Sequence, residues 1–188
     1  MKIKLSLISD CIFGSGQSIP GGEDSGVQHD EHGFIYYKAS SMKGLLKEMM
    51  ENVLMWEGKS ETQIKAEIER LFGTTGSNNA DKEKIRFSDF TFPQQLKELV
   101  LAEYDEVNAQ EILEAQTYLK TVTAIDETGT AKAGSLRVMR CIRKGFTLYG
   151  EILCKQEDEA LVEETLQYIK YIGTMKYRGF GQVKFERV

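Results

Sequence analysis

The chain has 188 residues, 41% of them hydrophobic and 28% charged, with a formal net charge of −5. That length suits one domain with a real core, the composition excludes a disordered chain, and no apolar run approaches the ~20 residues of a membrane-spanning helix. The acidic balance argues against a solitary nucleic-acid binder, for which a basic domain is expected, and favours a subunit of a complex.

Residues 2–9 alternate, with Ile3, Leu5 and Leu7 on one side, and predict a half-buried strand. This stretch is too short and too alternating for a signal-peptide core, and Asp10 closes it, so a cytoplasmic location is expected. Cys11, Cys141 and Cys154 are odd in number and lack metal-ligand spacing, which predicts buried, reduced thiols and no zinc. Residues 10–33 form a long connection with six glycines and Pro20; connections beyond ~12–15 residues in a compact domain are usually functional or disordered.

Residues 34–38 read as a short extended piece. Ser40 or Ser41 then caps a helix running to about Trp56, with Met42, Leu45, Leu46, Met49 and Val53 on one face. A second helix covers residues 62–71, followed by a turn-rich segment at 74–81 and a strand at 85–92. Residues 98–115 are acidic and only partly helical in pattern. Residues 119–125 and 134–142, around the turn Asp126-Glu127-Thr128-Gly129, predict a long hairpin. A strand at 146–154, an amphipathic helix at 157–171 (Leu161, Leu166, Ile169) and a strand at 183–188 complete the chain.

This order predicts a single α+β domain over residues 1–188, an antiparallel sheet with helices on one face. The ferredoxin-like, RRM-like split βαβ arrangement is the expected form, one that RNA-recognition modules often use. A long loop and a projecting hairpin would be added to it.

Three places carry candidate chemistry. In the closing segment, residues 172–187, a basic-aromatic cluster (Lys176, Tyr177, Arg178) precedes Gly179-Phe180-Gly181 and a strand. Glycines allow φ > 0 and close approach, and the N–H groups of such a loop can cradle phosphate beside Lys and Arg. Tyr177 or Phe180 would stack on a base or fill the core; the plainer alternative is a helix C-cap and a tight turn. At the start of the first long helix, Ser40, Ser41, Lys43 and Lys47 offer free N–H groups and two lysines on one face, a phosphate site or an ordinary capped helix. In the 10–33 loop, Asp24 sits among glycines as an exposed carboxylate or a turn former. His29 and His32, the chain's two histidines, are candidate general bases near neutral pH, but no Tyr or Lys is spaced to complete such a site.

Four segments in order carry a resemblance. They are the loop and helix start GSGQSIPGGEDSGVQHDEHGFIYYKASSMKGLLKE (14–48), LFGTTG followed by IRFSDF (71–90), the hairpin TAIDETGTAKAGSLRVMRCIRKG (123–145) and IGTMKYRGFGQV (172–183). Together they resemble the RAMP superfamily of CRISPR-associated proteins, specifically the repeated backbone subunit of type III effector complexes. The chain departs from the family pattern in having Lys38-Ala39 where Pro-Gly is usual, Lys47 where Arg is common, and Glu127 after the Ile-Asp.

The resemblance implies binding of CRISPR guide RNA through Ser40, Ser41, Lys43, Lys47 and the residues Lys176, Tyr177, Arg178, Gly179 and Phe180. It implies that Asp24 is the catalytic aspartate of a divalent-metal-dependent cut, with Mg²⁺ the expected ion, in the guide-paired target RNA. Glu23 and Asp30 are secondary candidates beside it. Residues 119–143 would be a thumb that wedges into the duplex, with Arg137 its foremost RNA contact and Arg140, Arg143 and Lys144 nearby. Partners would be other effector subunits and copies of this chain. The competing expectations are a non-catalytic architectural or cap subunit, and a His-dependent guide-processing endoribonuclease. Trp56 is expected in the core or at a subunit contact.

Overall fold

The computed structural model describes residues 1–14, 26–74, 84–103 and 108–188. Its described elements are β1 (Lys2–Leu7), α1 (Ala39–Trp56), α2 (Glu61–Phe72), β2 (Arg86–Phe87), α3 (Gln94–Glu103), α4 (Ala109–Gln116), β3 (Thr117–Val122), β4 (Arg137–Ile142), β5 (Thr147–Leu153), α5 (Glu159–Tyr168) and β6 (Val183–Arg187). Four strands form an antiparallel sheet in the order β2-β5-β1-β6, and β3 and β4 form a separate hairpin. With the hairpin set aside, the described elements run β1-α1-α2-β2-α3-α4-β5-α5-β6, and β1 lies between β5 and β6 in the sheet.

Period-2 alternation places the core. Ile3, Leu5 and Leu7 of β1, Leu148 and Ile152 of β5, and Val183 and Phe185 of β6 are buried on one face. Met42, Leu46 and Met50 of α1 and Val162 and Leu166 of α5 pack into the same cluster. The helices therefore cover one face of the sheet. The other face carries Lys4, Lys184 and Glu186, with Lys4 and Lys184 paired to Glu186 at 3.4 and 2.8 Å. The sheet is packed without a gap at Gly150, where a Cβ would lie 2.7 Å from the Phe90 ring.

Caps differ from expectation at one informative place. A capping box of Ser60 and Gln63 starts α2, and Asn108 with Glu111 starts α4. For α1 the residue in the capping position is Lys38, and neither Ser40 nor Ser41 caps it. Instead the Ala39 N–H donates to Asp89 Oδ1 at 2.7 Å, a carboxylate 50 residues away. The expected strand at 85–92 is reduced to Arg86–Phe87 plus isolated pairings of Phe90 with Tyr37 and Thr91 with Tyr149. The acidic stretch expected to be partly helical carries two helices, α3 and α4.

Candidate RNA-binding surface

The hairpin, the glycine-rich loop and the root of the 10–33 connection converge on one small cluster. Ile12, Cys141 and Phe180 are its buried members, with Tyr118, Met139 and Met175 against them. Residues 173–181 reach it through a turn that needs left-handed backbone: φ is 59° at Met175 and 79° at Gly181. A Cβ on Gly181 would sit 2.1 Å from the Ile172 carbonyl oxygen, and one on Gly173 would sit 2.2 Å from that of Ile12. Glycine is required at both positions by geometry as well as by φ.

This packing separates the roles of the loop's side chains. Phe180 is buried at 6% exposure, so of the two readings for its ring the core one holds. Lys120 Nζ lies 4.7 Å over that ring. Tyr177 is fully exposed at the tip, flanked by exposed Lys176 and Arg178 in a single 3₁₀ turn, Lys176–Arg178. Gly179, also exposed, has a φ of 83° and open space where a Cβ would be. The turn thus presents one aromatic ring and two cations on a buried base.

Residues 10–14 hold the loop to the hairpin. Cys11 and Ile142 exchange backbone hydrogen bonds at 2.9 and 2.8 Å, and the Thr174 N–H donates to the Ile12 carbonyl at 2.9 Å. Asp10 is half-buried: its Oδ2 accepts from the Tyr118 hydroxyl at 2.8 Å and its Oδ1 from the Lys144 N–H at 2.8 Å. Burial, reinforced by the bond to Asp10, holds the Tyr118 hydroxyl protonated well above the ordinary tyrosine range. Burial also pushes the Cys11 thiol up to about 12, so it is an inert core thiol. Cys141 is buried too, whereas Cys154 is half-buried. Sequence reasoning misses Asp10, which by pattern marks only the end of a strand. A carboxylate leaving a central strand just before a glycine-rich loop is the available signal.

Arg137 stands exposed at the outer end of the paired part of the hairpin, opposite Val122. Ile125 and Leu136 are also exposed, at 68% and 64%, which gives the hairpin an apolar outer end, and Leu119, opposite Arg140, is exposed as well. The tip is ordered by Asp126, whose Oδ1 accepts from the N–H groups of Thr128 and Thr130 at 2.9 and 3.0 Å. Nearer the base, Arg140 is buried at 6% exposure and donates to Thr117 Oγ1 at 2.9 Å. Arg143 lies over the Tyr118 ring at 5.4 Å. Of the four basic residues here, Arg140 and Arg143 therefore contribute to holding the hairpin base.

At the start of α1, Ser40, Ser41 and Lys43 are exposed and Lys47 is half-buried. The helix end expected to receive phosphate already carries the Asp89 carboxylate on its first N–H. Tyr37, two residues before the helix, meets Phe13 edge-to-face at 5.2 Å and so ties the helix start to the root of the 10–33 connection.

Asp24 and Glu23 lie outside the described residues. The connection that carries them is framed by a pairing of Gly14 with Val27. Asp30 is not a free carboxylate: it accepts from the His32 and Phe34 N–H groups at 3.0 Å each and from Lys97 Nζ at 2.7 Å. Burial raises its pKa, but the Lys97 bond and these N–H donors outweigh it and hold it below the ordinary value. Asp30 therefore anchors the loop to α3. His29 Nδ1 lies 2.9 Å from the Asp30 carbonyl, and His32 lies 3.7 Å from exposed Glu31. Trp56 is 63% exposed and meets Tyr168 edge-on at 5.5 Å, so it is outside the core. Among the described residues no group of three or more His, Cys, Asp or Glu side chains is arranged to hold a metal ion. No described helix is long and apolar enough to cross a membrane.

An antiparallel sheet with helices on one face, a glycine-rich loop and a side hairpin define an α+β protein. The RAMP superfamily profile matches residues 4–184, and the chain belongs to that superfamily. Its fold is similar to that of a chain in the type III-B Cmr-beta complex bound to cognate target RNA, at 13% identity, 98% and 95% coverage of the two chains and a TM-score of 0.67. A chain of the same complex in its apo state gives 14% identity, the same coverage and a TM-score of 0.69. No curated protein sequence matches.

Proposed function

We propose that this chain is a guide-RNA-binding subunit of a type III CRISPR effector complex that cuts guide-paired target RNA through Asp24. The observation that carries the RNA-binding part is the Lys176–Arg178 turn, exposed on a base fixed by Phe180 and two obligate glycines. A rigid display of one ring and two cations suits a single strand, where a base stacks and the adjacent phosphates are neutralised. Membership of the superfamily and the fold shared with a Cmr-beta chain point the same way. The exposed Leu136 and Ile125 near Arg137 suit a wedge that unstacks a duplex, the thumb of this reading. Other effector subunits and copies of this chain are its partners.

Cleavage rests on the family resemblance at Asp24. RNA supplies its own nucleophile, the 2′-OH, so a subunit that splays one nucleotide for in-line attack needs little further chemistry of its own. Dependence on a divalent cation, expected to be Mg²⁺, belongs to this reading; the described residues do not themselves assemble a site for it.

The test is cleavage of a labelled, guide-complementary RNA by the reconstituted complex in Mg²⁺, comparing wild type with Asp24→Ala. Regularly spaced products that vanish in the variant support catalysis; identical products, or none, in both leave an architectural or cap subunit. Guide binding is tested separately with Lys43→Ala and Arg178→Ala. Removing one cation that neutralises a phosphate should make the salt dependence shallower by roughly 0.7 in the log–log slope for a single strand.

A further inference from the structure

We infer that Asp10 is a positioning residue that locks the hairpin to the glycine-rich loop, so that the two candidate RNA-contacting elements act as one rigid unit. This rests on the RNA-binding reading above.

The hairpin is not part of the main sheet. A two-stranded ribbon standing off a domain is marginal in its own right and free to swing unless its base is fixed. Asp10 grips β3 and the chain just beyond β4. Oδ2 takes the hydroxyl of Tyr118 on β3, and Oδ1 takes the N–H of Lys144, two residues beyond β4. The same residue's carbonyl accepts the Gly181 N–H at 2.7 Å, so one residue bonds to the ribbon and to the loop at once. Its neighbours extend the joint: Cys11 adds an antiparallel pairing to Ile142, and the Ile12 carbonyl takes the Thr174 N–H. The space between is filled by Ile12, Cys141 and Phe180, with Lys120 of β3 over the Phe180 ring.

The joint is stiff on the loop side as well. Gly173 and Gly181 have no room for a Cβ because the Ile12 and Ile172 carbonyl oxygens occupy that position. A tilt of the ribbon at Asp10 would therefore be transmitted to the Lys176–Arg178 turn rather than absorbed. If RNA spans Arg137 and Arg178, the two contacts should be energetically coupled, and the coupling should pass through Asp10.

A double-mutant cycle measures this directly. Affinity of the full-length chain for a fluorescein-labelled single-stranded RNA is determined by anisotropy for wild type, Arg137→Ala, Arg178→Ala and the double variant. The same set is repeated in Asp10→Ala and Tyr118→Phe backgrounds. In the wild-type background the double loss should fall short of the product of the single losses by about fivefold or more. In Asp10→Ala the losses should multiply, and Tyr118→Phe, which removes only one hydroxyl, should lie between. Tyr118→Phe keeps the test open if Asp10→Ala does not fold. A coupling factor unchanged by both background substitutions overturns the inference, even if they lower thermal stability, because it leaves Asp10 a purely structural bond. Losses that already multiply in the wild-type background overturn it too. Failure of both arginine substitutions to weaken binding would instead remove the RNA-binding reading itself, and the inference with it.

Discussion

Asp89 holds the first N–H of α1 with a charged acceptor, and its removal leaves that donor to water. Asp89→Ala should lower stability by about 1 kcal/mol, read as a lower urea midpoint at unchanged m-value. It should also separate two uses of the helix end. If Ser40, Ser41 and Lys43 receive a guide phosphate, removing the competing carboxylate strengthens guide binding, whereas weaker or unaltered binding places the phosphate elsewhere. The Ser-Ser pair is a cap by composition, and from sequence Asp89 is only part of a Ser-Asp pair in a predicted strand. A helix capped by a residue 50 positions away leaves no local pattern, because the partner is chosen by tertiary packing. Phe180 is legible in the sequence only as an alternative between base stacking and core. What decides it is the cluster with Ile12 and Cys141, three residues brought together from three separate segments.

Elements with a buried face and regular period are readable: β1, α1, α2, β5, α5 and β6 all lie close to where alternation or helical spacing puts them. The failures have a common cause. Residues 85–92 are rich in strand formers, yet only Arg86 and Phe87 pair continuously with β5, since Phe90 is diverted to Tyr37 and Thr91 returns to β5 only as an isolated pairing with Tyr149. The 94–116 region has weak amphipathic signal because α3 buries no residue fully and α4 buries only Ile112, Leu113 and Gln116. Gln116 is itself diagnostic: its buried amide accepts from the Ile35 N–H at 3.0 Å and donates to the Gly33 carbonyl at 2.9 Å, fixing the one short segment 33–35 against α4. The hairpin and loop stand on one small cluster, so their order should depend on it. Phe180→Ala should cost roughly 3–5 kcal/mol, and amide exchange at Gly181 and Thr174 should accelerate more than in β1. Equal acceleration in both would mean that the cluster is not a separate unit of stability.

For the molecule as a whole, two carboxylates set a pH limit. Asp30 sits below its ordinary value of 3.8, the burial cost being outweighed by Lys97 and backbone donors, and Glu67 below 4.5, chiefly through its bond to Arg70. Groups with depressed native pKa stabilise the fold above their unfolded values, and that contribution is lost as pH falls through the native ones. Stability should therefore hold from neutrality to about pH 4.5 and decline below it, and Lys97→Ala should flatten part of that decline. A Lys97→Ala profile superimposable on wild type would show that Asp30 carries none of it. At this scale the α+β order, the one-sided helical layer and the presence of a side hairpin can all be read in the chain, whereas the junction at Asp10 cannot. It is made by bonds between residue 10 and residues 118, 144 and 181, which no local pattern encodes. The strand order has a last consequence, for synthesis. β1 ends at Leu7, yet both of its partners, β5 and β6, lie beyond residue 146 and are made well after it. At elongation rates of roughly 5–20 residues per second, Ile3, Leu5 and Leu7 wait several seconds without their sheet. β1 is a transient client for whatever shields an unpaired apolar strand at the ribosome exit, and its pairing is complete only once β6 has emerged.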